Sequence, residues 1–239
     1  MTTKTVVLVH GALTDASVWR RVCPILQAEG HAVIAPALPL RTLDGDIAYL
    51  RRFLETLPGP LVVAGHSYAG SVLSAPDALT AAVRALVFVA AFQQDAGETA
   101  GELNGKFPGS LLGPGNLVVR DYPGGQEAYL RPEMFAPAYA ADLEPAEARV
   151  LAAAQRPFDP AALSQSFDGT ATWRTLPSWA VVATADRSIP TEAQRWMAGR
   201  AGSKVTEVDA SHGVPLSQPD VVARVLVEST KDVTAPYSG

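Results

Sequence analysis

Cysteine occurs once, at position 23, so no disulfide can form within the chain. Such thiol usage fits a reducing compartment. Cys23 falls in an amphipathic stretch and reads as a small buried apolar residue. Histidine is scarce too, at 10, 31, 66 and 212 only, and no spacing among these or with Cys23 suggests a metal site. Basic residues number 19 against 24 acidic ones, a net charge of −5, and no run of Lys or Arg reverses it. That argues against nucleic acid or an anionic membrane as partner. No apolar run reaches the roughly 20 residues that span a bilayer. The first residues enter the apolar run Thr5–Val9 without the charged, apolar and cleavage regions of a secretory signal, so a cytoplasmic location is expected. Neither Gly-x-Gly-x-x-Gly nor a Walker-type lysine follows Gly11-Ala12-Leu13, and no cofactor is expected. The pattern sets no oligomeric state.

The 239 residues suffice for one large α/β domain with a sizeable core, and 48% hydrophobic with 18% charged residues is ordinary for a globular enzyme. Short β-branched runs predict strands at Thr5–Val9, His31–Ala35, Leu61–Ala64, Ala85–Ala90, Trp179–Ala183 and Lys204–Val208. Helical patterns lie between them at about Ser17–Glu29, Asp44–Leu57, Ala69–Ala75, Thr191–Ala201 and Pro219–Thr230. Near-continuous apolar strands alternating with helices predict a doubly wound, mostly parallel sheet covered on both faces. The alternation stops between 92 and 175, where Phe107-Pro108-Gly109, Gly113-Pro114-Gly115 and Tyr122-Pro123-Gly124-Gly125 fall, with helical patches near Arg131–Ala140 and Pro145–Gln155. An insertion of about 80 residues without a sheet of its own predicts a lid of loops and short helices, within a core formed by 1–91 and 176–239. The tail Asp232–Gly239 is expected to fray.

The strongest chemical signal is Leu61-Val62-Val63-Ala64-Gly65-His66-Ser67-Tyr68-Ala69-Gly70. An apolar strand entering a helix through Gly-x-Ser-x-Ala-Gly is a nucleophile elbow, a tight turn that exposes the serine Oγ. Ala69 stands where the pattern has its second glycine, with Gly70 just behind. A serine hydroxyl needs a base within hydrogen-bond reach, and His212, just past the last strand, is the only histidine after Ser67. Asp186 follows the penultimate strand and is placed to orient that base. Asp209, three residues before His212, is its nearest rival. An oxyanion would need two backbone N–H donors. Tyr68, after the nucleophile, and Ala12, after the first strand, are the candidates. His10 reads as structural, and His66 points away from the serine. Phe92, at the end of the strand before the lid, is the aromatic best placed to line a substrate pocket. Trp19, Phe107, Tyr129, Phe135, Phe158 and Trp173 read as packing.

These motifs resemble the α/β-hydrolase superfamily. The likeness runs from Val6-Val7-Leu8-Val9-His10-Gly11-Ala12 and Trp19, through Gly65-His66-Ser67-Tyr68, to Thr184-Ala185-Asp186-Arg187-Ser188-Ile189-Pro190 and Asp209-Ala210-Ser211-His212. The whole chain is similar to the small-lidded branch of plant methylesterases, hydroxynitrile lyases and many bacterial hydrolases. The resemblance implies an α/β-hydrolase fold with a lid insertion. It also separates chemistries. Lyases of this branch carry threonine after the first-strand histidine and lysine after the catalytic one, whereas here these are Gly11 and Gly213. Dehalogenases and epoxide hydrolases of the superfamily place aspartate where Ser67 stands.

The favoured expectation is a serine hydrolase cleaving a small or medium apolar carboxylic ester through an acyl-enzyme, its partner a small-molecule substrate. A cofactor-free lyase or tailoring enzyme using His212 as base is the alternative. A non-catalytic small-ligand binder is a third, and it would have no need of a matched base and acid.

Overall fold

The computed structural model describes residues 4–231. The tail Asp232–Gly239 lies outside them. Strands β1 (Thr5–Val9), β2 (Ala32–Ile34), β3 (Leu61–His66) and β4 (Val83–Val89) come first, interleaved with helices α1 (Val22–Ala28), α2 (Leu43–Glu55) and α3 (Ala69–Ser74). The stretch that follows carries α4 (Ala100–Gly105), an antiparallel hairpin of β5 (Leu117–Tyr122) and β6 (Gly125–Leu130), α5 (Pro132–Tyr139) and α6 (Pro145–Ala153). The chain then resumes with β7 (Ser178–Ala183), α7 (Thr191–Ala201), β8 (Lys204–Val208), α8 (Val214–Ser217) and α9 (Pro219–Lys231).

Six strands form one parallel sheet in the order β2-β1-β3-β4-β7-β8. Every residue of β3 and β7 is buried, as expected of central strands covered on both faces. The edge strand β8 is mostly exposed or half-buried. Helices α1 and α9 pack together, as do α2 and α3, with α3 against β3, α7 against β7, and α9 against β3, β4 and β7. In α2 the side chains Leu43, Ile47, Leu50 and Leu54 recur at helical spacing and are buried, and Thr42 Oγ1 caps its start by accepting the Gly45 N–H.

Strand order turns back beside β1: the chain goes from β1 outward to β2, then across to β3. The carboxyl ends of β1 and β3 therefore border the crevice where open α/β sheets place their ligands.

Two expectations need correction. The stretch from 92 to 175 does hold a sheet, the β5–β6 hairpin, turning at Tyr122-Pro123-Gly124-Gly125. The helix expected from Ser17 to Glu29 is split into a 3-10 turn at Ala16–Trp19 and α1. Pro24 is the reason. It lacks an N–H and its ring clashes with the carbonyl four residues back, so it is best accommodated in a first helical turn, and α1 begins two residues before it.

Candidate active site

A single turn joins β3 to α3, and Ser67 occupies it with φ 58°, a left-handed conformation costing a non-glycine residue roughly 1–3 kcal/mol. Three backbone hydrogen bonds hold it there: Ser67 N–H donates to Val89 O at 3.2 Å, and Ser67 O accepts from Gly70 N (3.0 Å) and Phe92 N (3.2 Å). The backbones approach so closely that a Cβ on Gly70 would lie 2.0 Å from Phe92 O, and one on Gly11 would lie 2.7 Å from Ser67 Cβ. The critical small residue behind the serine is thus Gly70 rather than Ala69.

Ser67, His212 and Asp186, far apart in sequence, are brought together. His212 Nε2 lies 2.8 Å from Ser67 Oγ, and its Nδ1 lies 2.7 Å from Asp186 Oδ2. A carboxylate only accepts, so Nδ1 carries the proton and Nε2 is left to accept from the serine hydroxyl. All three side chains are buried. Asp209 is exposed at the end of β8.

The supporting contacts include residues that the sequence reading did not single out. Asp186 Oδ1 accepts the Ser188 and Ile189 N–H groups at 2.7 and 3.0 Å. Gln194, one turn into α7, donates from Nε2 to Asp186 Oδ2 at 2.7 Å, the same oxygen that meets His212. Its own Oε1 accepts the Ala183 N–H at 3.1 Å, which fixes the direction of the amide. His66 indeed points away from Ser67 Oγ. Its Nε2–H donates to the His212 carbonyl at 2.9 Å, and its ring stands 4.8 Å from that of His212, centroid to centroid. Tyr139 walls another side, edge-on at 4.9 Å, while its carbonyl accepts Gly213 N–H at 2.7 Å. The histidine loop after β8 is thereby tied to β3 and α5.

The Ala12 and Tyr68 amides have no acceptor among the described residues. Both residues border a cavity of about 310 Å³ that also reaches Ser67 and His212. Phe92 and Phe158 both line it, the latter a residue that the sequence offered only as packing. Leu13, Leu112 and Leu163 add apolar wall, and Asn104 and Ser110 add polar lining. Among the described residues, no Lys, Arg, Asp or Glu lines this cavity. A larger open trough of about 640 Å³ beside α2 is rimmed by mixed charges and contains neither Ser67 nor His212. Among the described residues no cluster of three or more His, Cys, Asp or Glu could hold a metal ion, and no helix is long and apolar enough to cross a membrane.

With this arrangement in view, the comparisons with known proteins are decisive about kinship. The model of the alpha/beta hydrolase family matches residues 6–225. The chain belongs to that family. Esterase PIR7B of Oryza sativa subsp. japonica is 30% identical along 93% of this chain and 94% of its own length. An alpha-hydroxynitrile lyase of Arabidopsis thaliana is 28% identical along 89% of this chain and 92% of its own. The crystal structure of polyneuridine aldehyde esterase superposes with a TM-score of 0.80, covering 96% of this chain and all of that one at 24% identity, a likeness of fold.

Buried ionisable groups around the family's elbow give the molecule a distinct acid response. His10 Nδ1–H donates to Gly11 O at 2.9 Å while its Nε2 accepts Leu38 N–H at 3.0 Å, a neutral ring fixed at both ends. Burial lowers its pKa to about 4, and burial with the neighbouring His212 holds His66 well below 6.5. The unfolded chain protonates both rings near pH 6.5 while the native state resists, so their contribution to stability falls as pH drops from 6.5, for His10 until about 4. For His10 that loss reaches ~3 kcal/mol. Asp46 works in the opposite sense. Burial raises its carboxyl to about 6, so the native state keeps a proton that the unfolded chain gives up near 3.8. Its contribution is present at low pH and lost as pH rises through 6. Two histidines outweigh one aspartate, and the urea midpoint should fall between pH 6.5 and 4.5, more steeply in Asp46→Asn. A flat or rising midpoint would contradict this balance.

Proposed function

We propose that the protein is a hydrolase acting on ester bonds, cleaving small or medium apolar carboxylic esters through Ser67, His212 and Asp186. The observation carrying this reading is the unbroken relay from Ser67 Oγ through His212 to Asp186, at 2.8 and 2.7 Å, opening on an uncharged cavity. Esterases among its full-length relatives support it.

In this mechanism Ser67 Oγ attacks the ester carbonyl carbon as its proton passes to His212 Nε2. The carbonyl electron pair moves onto oxygen, which the Ala12 and Tyr68 N–H groups stabilise. When that oxyanion collapses, the alcohol departs with the proton from His212. Water, deprotonated by His212, then releases the acid and restores Ser67. Asp186 holds the Nδ1–H throughout and stabilises the imidazolium. Every proton and electron pair in this scheme comes from these side chains, the ester and water. The absence of charged lining favours neutral substrates, because a bound carboxylate or ammonium would lose its hydration without a counter-charge. We assign residues 92–175 the part of a lid, since α4 and the loop after it contribute Ala100, Gly101, Asn104, Ser110 and Leu112 to the cavity wall. The lyase alternative would require a charged group to steady a departing anion, and the lining offers none but His212.

A fluorophosphonate should label one residue per chain, Ser67 by peptide mapping, and p-nitrophenyl butyrate should give a burst of nitrophenol matching the enzyme concentration. Absence of both labelling and nitrophenol release would overturn the reading.

A further inference from the structure

The two amides assigned to the oxyanion belong to different loops, Ala12 after β1 and Tyr68 after β3, so something must set their spacing. A third segment joins them through a continuous run of hydrogen bonds. His10 Nε2, two residues before Ala12, accepts Leu38 N–H at 3.0 Å. Leu40 N–H donates to Asp46 Oδ1 at 2.9 Å, and Asp46 Oδ2 accepts the Tyr68 hydroxyl at 2.9 Å. His10, Leu38, Leu40, Asp46 and Tyr68 are all buried. Leu40 sits at φ 60°, a strained conformation for leucine, and is braced from outside: Asp159 N–H donates to Leu40 O and Arg156 Nη2 to Leu38 O.

Asp46 lies in the first turn of α2, where a carboxylate helps any helix begin. That local role accounts for the Leu40 contact alone. Thr42 already caps the helix, and Tyr68 arrives from the separate β3–α3 turn. Burial pushes the Asp46 carboxyl up to about 6, so keeping it here costs stability that a neutral residue would not. Tyr68 is held at both ends, its Cα in the strained elbow and its hydroxyl on Asp46. This fixes the direction of the Cα–Cβ bond, and with it the direction of the amide hydrogen.

We propose that Asp46 is a positioning residue for the oxyanion pair. By gripping the Tyr68 phenol and the Leu38–Leu40 segment together, it sets where the Tyr68 amide sits relative to Ala12. The proposal rests on the acyl-transfer reading above. It makes geometry, rather than charge, the essential property of Asp46. In Asp46→Asn the side-chain carbonyl still accepts Leu40 N–H, and the NH2 donates to the Tyr68 hydroxyl, which can accept as well as donate.

The test compares wild type, Tyr68→Phe, Asp46→Leu and Asp46→Asn in p-nitrophenyl butyrate turnover and in inhibition by an aryl trifluoromethyl ketone. Ser67 Oγ adds to the ketone carbon, its proton passes to His212, and the carbonyl pair becomes an oxyanion in the same place as during ester cleavage. One oxyanion donor is worth about 10²–10³ in kcat, so displacing one should remove about 10- to 100-fold. Tyr68→Phe and Asp46→Leu should lose that much in kcat, keep KM within about twofold, and bind the ketone more weakly by the same factor. Asp46→Asn should stay near wild type. Folded Tyr68→Phe with wild-type kcat and ketone affinity overturns the proposal, as does a fall in kcat without a matching fall in ketone affinity. Asp46→Asn as impaired as Asp46→Leu also overturns it. Should Asp46→Leu fail to fold, Tyr68→Phe, which deletes one oxygen, decides. Wild type that neither turns over ester nor binds the ketone refutes the acyl-transfer reading itself; active wild type with equally active variants refutes only the role of Asp46.

Discussion

Ser67→Ala is expected to fold normally and to lose at least about 10³-fold in kcat on p-nitrophenyl butyrate. The substitution removes one oxygen. The three backbone hydrogen bonds that hold the elbow do not involve Oγ, and alanine meets the same cost at φ 58° that serine already bears. His212 keeps Asp186 on its other nitrogen, so the deletion should alter stability by only about 1 kcal/mol. KM should change little, because the cavity walls are untouched. What vanishes is the covalent route. The remaining rate would come from the Ala12 and Tyr68 amides and from water activated by His212. Circular dichroism, steady-state kinetics and loss of fluorophosphonate labelling check this together. Unchanged turnover in the folded variant would mean that another group, or no covalent step, performs the hydrolysis.

Asp186→Asn should be the more informative loss, about 10⁴-fold in kcat with the nucleophile intact. The reason lies in the contacts of each carboxylate oxygen. Oδ1 accepts two backbone N–H groups, from Ser188 and Ile189. The asparagine carbonyl must take that side, since an NH2 there would face two donors. Its NH2 then falls where Oδ2 met His212 and Gln194, and it can only donate. His212 responds by moving its proton to Nε2, leaving Nδ1 to accept. The imidazole now offers Ser67 a hydrogen instead of a lone pair, and the base is lost without displacement of any backbone atom. Gln194 Nε2 faces a donor as well, so some stability should go too. A ¹⁵N spectrum of the His212 ring would record the switched tautomer. Wild-type kcat with the wild-type tautomer would show that Asp186 does not orient the base.

Much of this arrangement is legible in the amino-acid sequence. β1 and β8 occupy the expected residues because both are rich in β-branched residues and are bounded by clear turns, β1 as an apolar run and β8 as an exposed edge. β3 runs two residues further than expected, through Gly65 and His66, because parallel partners on both sides of the sheet accept glycine that local propensity disfavours. The β5–β6 hairpin leaves little signal in the sequence because β5 is exposed or half-buried throughout and β6 buries only Ala128 and Leu130, so the pattern shows only Leu117-Val118-Val119 and a proline-glycine turn. The three residues of the relay were readable from position within the strand order. Gln194, His66 and Asp46 were not. Each acts through a few polar contacts, among them ones reaching across 8, 146 and 22 residues, and hydrogen bonds of that range leave no period in the sequence. Phe158 escaped for a related reason: it reaches the cavity only because the chain doubles back, pairing Phe158 with Ala128.

The pairing of β4 with β7 joins residues 86–89 to 178–181, so the sheet closes around a loop of about ninety residues. Loop-closure entropy grows only logarithmically, about 0.6 kcal/mol for each doubling in length. A segment already this long can be lengthened, shortened or rewritten at small thermodynamic cost, provided its two ends still meet across the sheet. The same segment carries Asn104, Leu112 and Phe158, which shape the cavity, while Ser67, Asp186 and His212 are anchored outside it. On the mechanism proposed above, rewriting this segment should change which ester is accepted while leaving the hydrogen bonds among Ser67, His212 and Asp186 in place.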